Sequence, residues 1–301
     1  MDLDALAIFV KVAELQSFTR AAEHLGMPKA RASLRVQALE TELGVRLLQR
    51  TTRTVRPTND GEQLLPRAKQ LVLEAEEVGA MFQGQRALRG LVRVDLPINF
   101  ARELLIPRVP ELLAQYPQLE LQLSTTDRRV DVVQEGFDCV LSIGNLRASG
   151  LTAQRLGVLE TINIASPAYV KKYGIPRTLS DLDRHLIVHY ALTFGTVPPS
   201  FEYRKGSRYA LYPMKSVITV NSADAYRAAC IAGLGIIQAP DIGVTRTDVE
   251  DGRLVEVLPD YPAEPMPVSI VHPHGRSVPK RVRAVMSWIA AVISPRLSRS
   301  A

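Results

Sequence analysis

The chain has 301 residues, of which 46% are hydrophobic and 23% are charged, and this composition excludes a disordered or fibrous protein. A chain of this length forms two or three domains. The formal net charge is +6, and most of it is local, because eight basic residues stand against three acidic ones between Arg20 and Arg56. Such a cationic patch indicates a polyanionic partner.

The two cysteines, Cys139 and Cys230, are far apart, so a disulfide framework and a cysteine zinc site are not expected. Both lie in apolar surroundings, which favour inert, buried thiols. The first four residues lack the basic-then-apolar pattern of an export signal. The apolar stretches 228–240 and 284–293 are too short to span a bilayer. We therefore expect a reduced, cytoplasmic protein without a membrane anchor.

The first forty-four residues predict three short helices. The first has four apolar residues at helical spacing: Leu6, Phe9, Val10 and Ala13. Residues 17–19 supply capping hydroxyls for a second helix over 20–25, which Gly26 ends. Pro28 starts the third, because its fixed φ suits a first helical position. Three short helices with a glycine-containing turn before the third make a helix-turn-helix.

The third helix has two distinct faces. Its inward positions, spaced by four and three residues, are Ala32, Val36, Leu39 and Leu43. The opposite side and its flanks fit a major groove, and the DNA-contact residues predicted on this helix are Pro28, Lys29, Ala30, Arg31, Ser33, Leu34 and Arg35. The alternative is a solvated helix face with scattered charge.

A basic β-hairpin follows the third helix. Residues 45–50 and 54–58 are predicted strands around a turn, which makes the hairpin a wing. We expect Arg53 at its tip to enter a narrow minor groove, where the potential is most negative. Arg50 and Arg56 are expected to contact phosphates.

Residues 1–65 resemble the DNA-binding domain of the LysR-type transcriptional regulators. The matching positions are Leu6, Phe9, Ala13, Glu14, Ser17-Phe18-Thr19, Ala21-Ala22, Leu25, Ser33, Leu39-Glu40, Leu43-Gly44, Leu47-Leu48, Arg50, Arg53, Val55, Thr58 and Gly61. Pro28-Lys29 stands where the family commonly has Ser-Gln, and Leu34 replaces a commonly polar residue. We therefore expect base hydrogen bonds from Lys29, Ser33 and an arginine of this helix, and an apolar contact from Leu34.

A heptad seam runs from Glu62 to Gln85. Its apolar residues, which advance by four and three, are Leu64, Ala68, Leu71, Ala75, Val78 and Phe82. This pattern predicts a long helix that dimerises, and a symmetric dimer would present two reading helices to an inverted repeat. The alternative is a helix packed on its own domain.

From Leu91 onward, short apolar strands alternate with helices, which indicates parallel sheets. The predicted strands are 91–96, 119–124, 138–143, 161–165, 187–190, 217–220, 235–238 and 266–271, and the predicted helices are 101–115, 129–135, 168–173, 224–232 and 280–293. In LysR-type regulators this region resembles a periplasmic-binding-protein fold of two lobes with an effector between them.

The expected fold class is therefore multi-domain: an all-α winged helix-turn-helix N-terminal domain, a long linker helix and an α/β two-lobed periplasmic-binding-protein-like domain. The resemblance implies a DNA-binding domain over residues 1–61, a linker and dimerisation helix over 62–90 and an effector-binding regulatory domain over 91–293. Its first lobe would comprise about 91–161 and 267–293, and its second lobe about 162–266.

The effector site is predicted beyond the carboxyl ends of the strands, where ligands of open α/β sheets bind. The strand ends carry the segments 97–100, 125–127, 144–145 and 221–223, so Asp127 stands at one of them. The effector-binding residues predicted there are Pro97, Asn99, Phe100, Thr125, Thr126, Gly144, Asn145, Asn221 and Ser222. Asn99 and Ser222 stand just before helices, and two helix amino-termini at one cleft favour an anion. A small organic acid is the expected effector. The alternative is that both residues only cap their helices.

Rival functions lack their required features. A solute-binding protein needs an export signal and no basic head, and an enzyme needs a catalytic constellation, which the sequence lacks. The pairs His185/His189 and His272/His274 have no further ligands nearby, so we expect no metal or other cofactor. A nonspecific DNA binder is a weaker idea. We predict a transcription regulator, a homodimer or homotetramer, bound to a promoter inverted repeat, with RNA polymerase as a further candidate partner.

Overall fold

The computed structural model describes residues 2–50, 55–81, 88–146, 150–275 and 278–298. Its amino-terminal part, called the head here (residues 2–57), holds α1 (Leu3–Leu15), α2 (Phe18–His24), α3 (Lys29–Leu43), β1 (Leu48–Arg50) and β2 (Val55–Pro57). The longer α4 (Asn59–Met81) follows directly. The three predicted helices, the hairpin and the long helix are confirmed.

Local capping groups fix the ends of the head helices. The side chains of Asp2 and Ser17 accept hydrogen bonds from the backbone N–H groups of Asp4 and Arg20, at 2.9 and 3.3 Å. Helix α3 ends at Gly44, whose φ of 69° is a left-handed value that glycine adopts without steric penalty. The local sequence therefore sets the lengths of these helices.

The head has one hydrophobic core, with α1 at its centre. Fully buried members include Leu6, Phe9, Val12, Val36 and Leu39. Beside the core, Glu14 makes salt bridges with Lys11 at 3.2 Å and with Lys69 of α4 at 2.9 Å. Burial alone would raise the pKa of Glu14, but the two cations outweigh it and lower this pKa to about 2. The ion pair with Lys69 thus fastens α4 to the head.

The carboxy-terminal part begins with a five-stranded sheet in the order β4-β3-β5-β14-β6. Its strands are β3 (Arg89–Leu96), β4 (Gln118–Thr125), β5 (Cys139–Ile143), β6 (Thr152–Leu159) and β14 (Met266–His272). An irregular helical segment packs on it in four pieces: α5 (Ile98–Phe100), a π-helix (Ala101–Leu105), a 3₁₀-helix (Ile106–Arg108) and α6 (Val109–Gln115). With α10 (Lys280–Ile293), these elements share one core and form what we call the first lobe.

What we call the second lobe is built around β7 (Thr161–Ala165), which pairs antiparallel with β12 (Ile237–Pro240) and β13 (Val255–Glu256). Two small sheets join it: β8 (His189–Tyr190) with β11 (Thr219–Val220), and β9 (Ser200–Lys205) with β10 (Arg208–Pro213). Its helices are α7 (Pro167–Tyr173), a 3₁₀-helix (Leu179–Arg184), α8 (Ala223–Ile231) and α9 (Val244–Glu250). A last 3₁₀-helix, Ser294–Arg296, follows α10.

Two expectations about this part are wrong. Residues 129–135 form no helix, because Asp131 Oδ1 accepts the N–H groups of Val133 and Gln134, and Gly136 with φ 76° ends the segment after one turn. The two larger sheets are not parallel. The five-stranded sheet is mixed, because β14 returns from the second lobe and enters between β5 and β6 in the opposite direction. The three-stranded sheet around β7 is antiparallel. None of the helices in the described residues is long and apolar enough to cross a lipid bilayer.

Candidate nucleic-acid interface and effector cleft

The outer face of α3 projects from the head. Ala30 and Leu34 lie on this face between Lys29 and Arg31, and all four are exposed. Leu34 has 66% of its surface exposed, whereas Ala32 on the inner face is completely buried. Within the described residues neither cation has an ion-pair partner. An exposed leucine between two available cations fits a groove with thymine methyls inside and phosphates along its edges.

The inner face of α3 agrees with the prediction at three of its four positions: Ala32, Val36 and Leu39. The prediction for Leu43 is wrong, because the last turn of α3 extends past the core and leaves this side chain 38% exposed. Arg35 forms an ion pair with Asp2, so its charge is committed to the start of α1. Ser33 is half-buried, and Pro28 is exposed without a side-chain cap. The cations that project freely from α3 are therefore Lys29 and Arg31.

The wing lies directly after α3 and is anchored to it. Glu40 Oε1 accepts hydrogen bonds from the backbone N–H groups of residues 47 and 48, at 2.9 and 3.0 Å. Arg56 is exposed on β2. The predicted tip residue Arg53 and the side chain of Arg50 lie outside what the structure describes. The hairpin thus holds an exposed cation at a fixed distance from the outer face of α3.

The first half of α4 faces its own chain. Ala68 is completely buried against the core of the head, and Leu64 is half-buried there. The prediction that Ala68 faces a partner subunit is therefore wrong, whereas Leu64 keeps exposed surface and stays a predicted interface residue. The reason is the packing of α1 along α4, which the salt bridge between Glu14 and Lys69 holds in place.

The second half of the heptad seam, from Leu71 onward, is more exposed than the first half. Leu71 is 39% exposed, and Ala75 is half-buried. Both stay predicted interface residues. The side chain of Val78 and the whole of Phe82 lie outside the described residues. A seam that starts at Leu71 is thus compatible with the structure.

Three strand ends meet at one edge of the first-lobe sheet. Strands β3 and β4 are parallel, with Leu96 paired to Thr125, and β5 runs parallel to β3 on its other side. Residues 97–99, 125–127 and 144–145 therefore leave the sheet at the same edge, as the strand-end argument predicts. The start of α8 in the second lobe reaches this edge as well.

A carboxylate joins the starts of two helices from different lobes. Asp127 Oδ2 accepts a hydrogen bond of 2.7 Å from the N–H of Ala223, the first residue of α8. Its Oδ1 lies 3.4 Å from the N–H of Ile98, the first residue of α5. Such first-turn N–H groups have no acceptor inside their own helices. The two helix starts thus converge on an anion, and this anion belongs to the chain itself.

The two predicted caps have different outcomes. Ser222 caps α8, because its hydroxyl accepts a 3.3 Å hydrogen bond from the N–H of Ala225. The capping prediction for Asn99 is wrong, because the helix begins at Ile98, one residue before it. Pro97 occupies the cap position and has no polar side chain, so Asp127 stands in for the missing cap.

Two further polar contacts cross between the lobes. Arg102 lies 3.1 Å from Asp224 across the cleft and also donates to Asn99 Oδ1 at 2.8 Å. Glu103 Oε2 accepts a 2.8 Å hydrogen bond from the N–H of Val244, the first residue of α9. A cavity of about 670 Å³ lies beside these contacts and includes Arg102, Glu103, Asp224, Arg227 and Thr247 in its lining.

Two further titratable groups lie on this side of the lobes: the buried Asp95 and the half-buried Tyr190. Asp95 at the end of β3 is 3% exposed, and burial raises its pKa to about 6. Burial, followed by the charge of Asp127, raises the pKa of Tyr190 to about 12. The phenol of Tyr190 is therefore a hydrogen-bond donor at neutral pH. The cleft combines backbone N–H groups, a phenol and a carboxylate.

Of the remaining residues predicted to bind the effector, one lies in the core of the first lobe and the others lie at the ends of strands. Phe100 is 5% exposed and packs in the core of the first lobe, so its assignment to the cleft is wrong; the first turn of the helix directs it inward. Thr126 is half-buried, and its hydroxyl lies 3.5 Å from Asp95 Oδ1. The others stay predictions: Thr125 is the last residue of β4, and Gly144, Asn145 and Asn221 lie in the loops that follow strands.

Among the described residues, no three side chains of His, Cys, Asp or Glu group together as the ligands of a metal ion would. His185 instead lies 3.1 Å from the hydroxyl of Tyr169. Cys139 and Cys230 are both fully buried, and burial raises the pKa of each thiol, to about 12 for Cys230. Neither thiol is therefore activated as a nucleophile at neutral pH.

Comparison with known proteins agrees with this geometry. The profile of "Bacterial regulatory helix-turn-helix protein, lysR family" matches residues 3–62, and that of "LysR substrate binding domain" matches residues 85–294. The chain belongs to the LysR family of transcriptional regulators. LysR-family regulators bind DNA through the helix-turn-helix and a small-molecule effector through the regulatory domain; they form oligomers and are not enzymes.

Three relatives illustrate how far this LysR-family similarity extends. YhjC of Escherichia coli K12, an HTH-type transcriptional regulator, is 42% identical over 98% of this chain and 99% of its own. An HTH-type transcriptional repressor of Pseudomonas aeruginosa is 35% identical, over 95% and 90%. The structure of CrgA, a LysR-type regulator from Neisseria meningitidis, is similar with a TM-score of 0.60 and 28% identity, over 97% and 98%.

Sequence reasoning missed three residues of the cleft in this LysR-family chain: Arg102, Glu103 and Asp224. Asp127 was placed at a strand end beside the expected site, but not among the effector-binding residues, and its contact with the second lobe was not predicted. Its partner Ala223 is 96 residues away, and no sequence pattern links the two. The crossing contacts of Arg102 and Glu103 are equally remote along the chain.

Proposed function

We propose that this LysR-family regulator recognises a specific promoter sequence and that a small organic acid bound between its lobes controls this binding. The observation that carries the first part is the outer face of α3, where Leu34 is 66% exposed between Lys29 and Arg31. A helix with this face enters a major groove, with the leucine on bases and the cations on phosphates or guanine edges.

The proposed DNA contacts extend from α3 to the wing. They are Pro28, Lys29, Ala30, Arg31, Ser33 and Leu34 on the helix, with Arg50, Arg53 and Arg56 on the hairpin. Arg35 contributes less, because its ion pair with Asp2 would have to break first. Phosphate contacts by Arg50 and Arg56 fix the register of the head, while α3 reads bases in the major groove and Arg53 enters the minor groove.

An organic acid is supported by the chemistry of the cleft. The N–H groups of Ile98 and Ala223 already hold one carboxylate, that of Asp127. Two helix starts and a nearby phenol, that of Tyr190, provide donors and positive dipole ends for an acid group. Ser222 and Asn99 border these donors.

We further propose the domain division 1–61, 62–90 and 91–293, and a dimer through the second half of α4. Leu71, Ala75, Val78 and Phe82 would form that interface, with Leu64 at its edge and without the inward Ala68. A symmetric dimer matches an inverted repeat, and a pair of dimers forms the proposed tetramer. We also propose that the protein acts in the cytoplasm, where it meets the chromosome and RNA polymerase.

DNA recognition is tested with the full-length protein and the DNA upstream of its own gene. Fluorescence anisotropy at one fixed salt concentration compares this DNA with a scrambled duplex of equal length and composition. We expect affinity for the upstream DNA to be about 1000-fold higher. Equal affinity for both duplexes would contradict the proposal and indicate a nonspecific binder.

The wing is tested with Arg53→Ala and Arg56→Ala. Each variant should bind the upstream DNA more weakly and show a shallower dependence of log affinity on log salt, because phosphate contacts are lost. Arg204→Ala on the exposed part of β9 is the matched control and should bind like the unmodified protein. Unchanged binding by both wing variants would remove the hairpin from the proposed interface.

A further inference from the structure

Side chains of the first lobe bind the starts of two helices in the second lobe. Asp127 accepts the first N–H of α8 at 2.7 Å, and Glu103 accepts the first N–H of α9 at 2.8 Å. Between them, Arg102 pairs with Asp224 on α8 at 3.1 Å. We call these three contacts the latch, because each of them joins the two lobes.

The three contacts of the latch differ in strength. Arg102 and Asp224 are 52% and 44% exposed, so solvent screens their ion pair and it adds little. Glu103 is 23% exposed and binds a helix start that has no side-chain cap of its own. Asp127 is half-buried and binds a helix start in each lobe. Asp127 and Glu103 therefore carry most of the latch.

Asp127 occupies the two backbone N–H donors that an acid group of an effector would need. The N–H groups of Ile98 and Ala223 are the donors that would receive an acid group of an effector. Both oxygens of Asp127 now point at these donors. Two carboxylates within about 4 Å repel each other strongly in a partly buried site, so they cannot share the donors.

We propose that Asp127 is a tethered carboxylate that closes the cleft in the effector-free protein, and that an acidic effector acts by displacing it. This inference rests on the proposed function, since it assigns Asp127 a role at the proposed effector site. Displacement of Asp127 frees one point of the latch and alters how the lobes meet. The same residue favours an acidic effector, because an acid group replaces both the hydrogen bonds and the negative charge that Asp127 places at the two helix starts.

The test removes the tethered carboxylate and supplies a free one. Full-length Asp127→Ala is melted in sodium chloride and in sodium acetate or formate at equal ionic strength and pH 7.5. We expect a melting temperature about 3 °C or more below the unmodified protein in chloride. Acetate or formate should restore it saturably, because the ion fills the vacated space and binds the native state.

Two control variants make this result specific. Asp127→Asn fills the space without charge and should gain no stability from acetate. Glu120→Ala removes an exposed acid from β4 in the same lobe and should behave like the unmodified protein in both salts. An equal response of all variants to acetate, or no response of Asp127→Ala, would overturn the proposal.

Lobe closure is measured separately, which keeps the test valid if Asp127→Ala folds poorly. Spin labels are placed at cysteines introduced at the exposed positions Glu120 and Lys205, one in each lobe, while the buried Cys139 and Cys230 stay unlabelled. The distance distribution should broaden or lengthen in Asp127→Asn. An unchanged distribution would contradict the latch.

DNA binding of the same variants separates this inference from the proposed function. If Asp127→Ala binds the upstream DNA but does not respond to acetate, the latch is refuted and the DNA-binding function stands. If the unmodified protein fails to prefer its upstream DNA, the proposed function fails whatever acetate does.

Discussion

The head and the two lobes use their charged residues in opposite ways. On the head, Lys29, Arg31 and Arg56 are exposed and have no ion-pair partner among the described residues. In the lobes, Arg102 pairs with Asp224, and the carboxylate of Asp127 binds helix starts. The head therefore offers its charge to an external polyanion, whereas the lobes direct theirs at each other.

This difference explains why one region was easier to predict than the other. The contacts that shape the head are local: Ser17 caps α2 three residues on, and Gly44 ends α3. The contact of Asp127 with Ala223 spans 96 residues and depends on how two lobes meet. The binding face of the head can thus be predicted from the periodicity and charge of the sequence, whereas the contacts of the cleft can be found only from the tertiary structure.

The largest effect is expected on the outer face of α3. In a dimer, Leu34→Glu places two negative charges against DNA and removes two apolar base contacts, so affinity should fall about 1000-fold. The melting temperature should not change, because Leu34 is 66% exposed. Leu211→Glu, at a leucine 59% exposed on β10, is the matched control. Anisotropy titrations measure both, and equal affinities would place the DNA elsewhere.

The second-largest effect is expected on dimerisation through the second half of α4. Leu71→Asp should raise the dimer dissociation constant about 100-fold, because it puts a charge into an apolar seam. Sedimentation velocity then shows monomers. Val217→Asp, at a side chain 66% exposed in the second lobe, should stay oligomeric. An intact Leu71→Asp oligomer would show that the interface lies outside α4.

The third-largest effect is a loss of folding stability at low pH, which we expect from His24. This side chain is buried in the head, with 7% of its surface exposed. Burial, then the cations Lys11, Arg93 and Arg281, lower the pKa of His24 from its ordinary 6.5 to about 3. The unfolded chain binds a proton below pH 6.5 and the folded chain does not, so stability falls as pH drops through this window. At pH 5 the loss from this group is about 2 kcal/mol.

Urea unfolding at pH 7.5 and pH 5 tests this pH dependence. His24→Gln should reduce the difference in unfolding free energy between the two pH values, because it removes the titrating group. His189→Gln, at a half-buried histidine of the second lobe, serves as the control. An unchanged pH dependence in His24→Gln would show that His24 is protonated normally.

The smallest effect is expected at Asp95, whose pKa burial raises from 3.8 to about 6. The folded chain retains this proton while the unfolded chain loses it, so stability falls as pH rises from 3.8 through 6. The whole shift corresponds to about 3 kcal/mol at pH 7.5. Asp95→Asn should recover only about 1 kcal/mol of it, because the amide is a poorer acceptor for the hydroxyls of Ser124 and Thr126, and it should have no stabilising effect at pH 4. The exposed Asp260→Asn is the control. Stability is measured by calorimetry at both pH values. An equal stability gain of Asp95→Asn at pH 4 and pH 7.5 would contradict the raised pKa of Asp95.

The errors of the sequence analysis have physical causes. Leu43 and Ala68 both fit a regular apolar spacing, but spacing does not show where a core ends or which partner a helix face meets. Phe100 follows a strand end, as cleft residues do, yet its helix turns it into the core. Asp131 and Gly136 stop a segment with helical periodicity after one turn.

The contrast between the head and the lobes is tested most directly by the salt dependence of DNA binding. Affinity for the upstream DNA is measured over a range of salt concentrations for the unmodified protein, Arg31→Ala and Arg102→Ala. We predict that the slope of log affinity against log salt falls by about 1 for each arginine lost from the head and stays the same for Arg102→Ala. Equal slopes for all three proteins, or a fall only in Arg102→Ala, would contradict the outward orientation of the head charge.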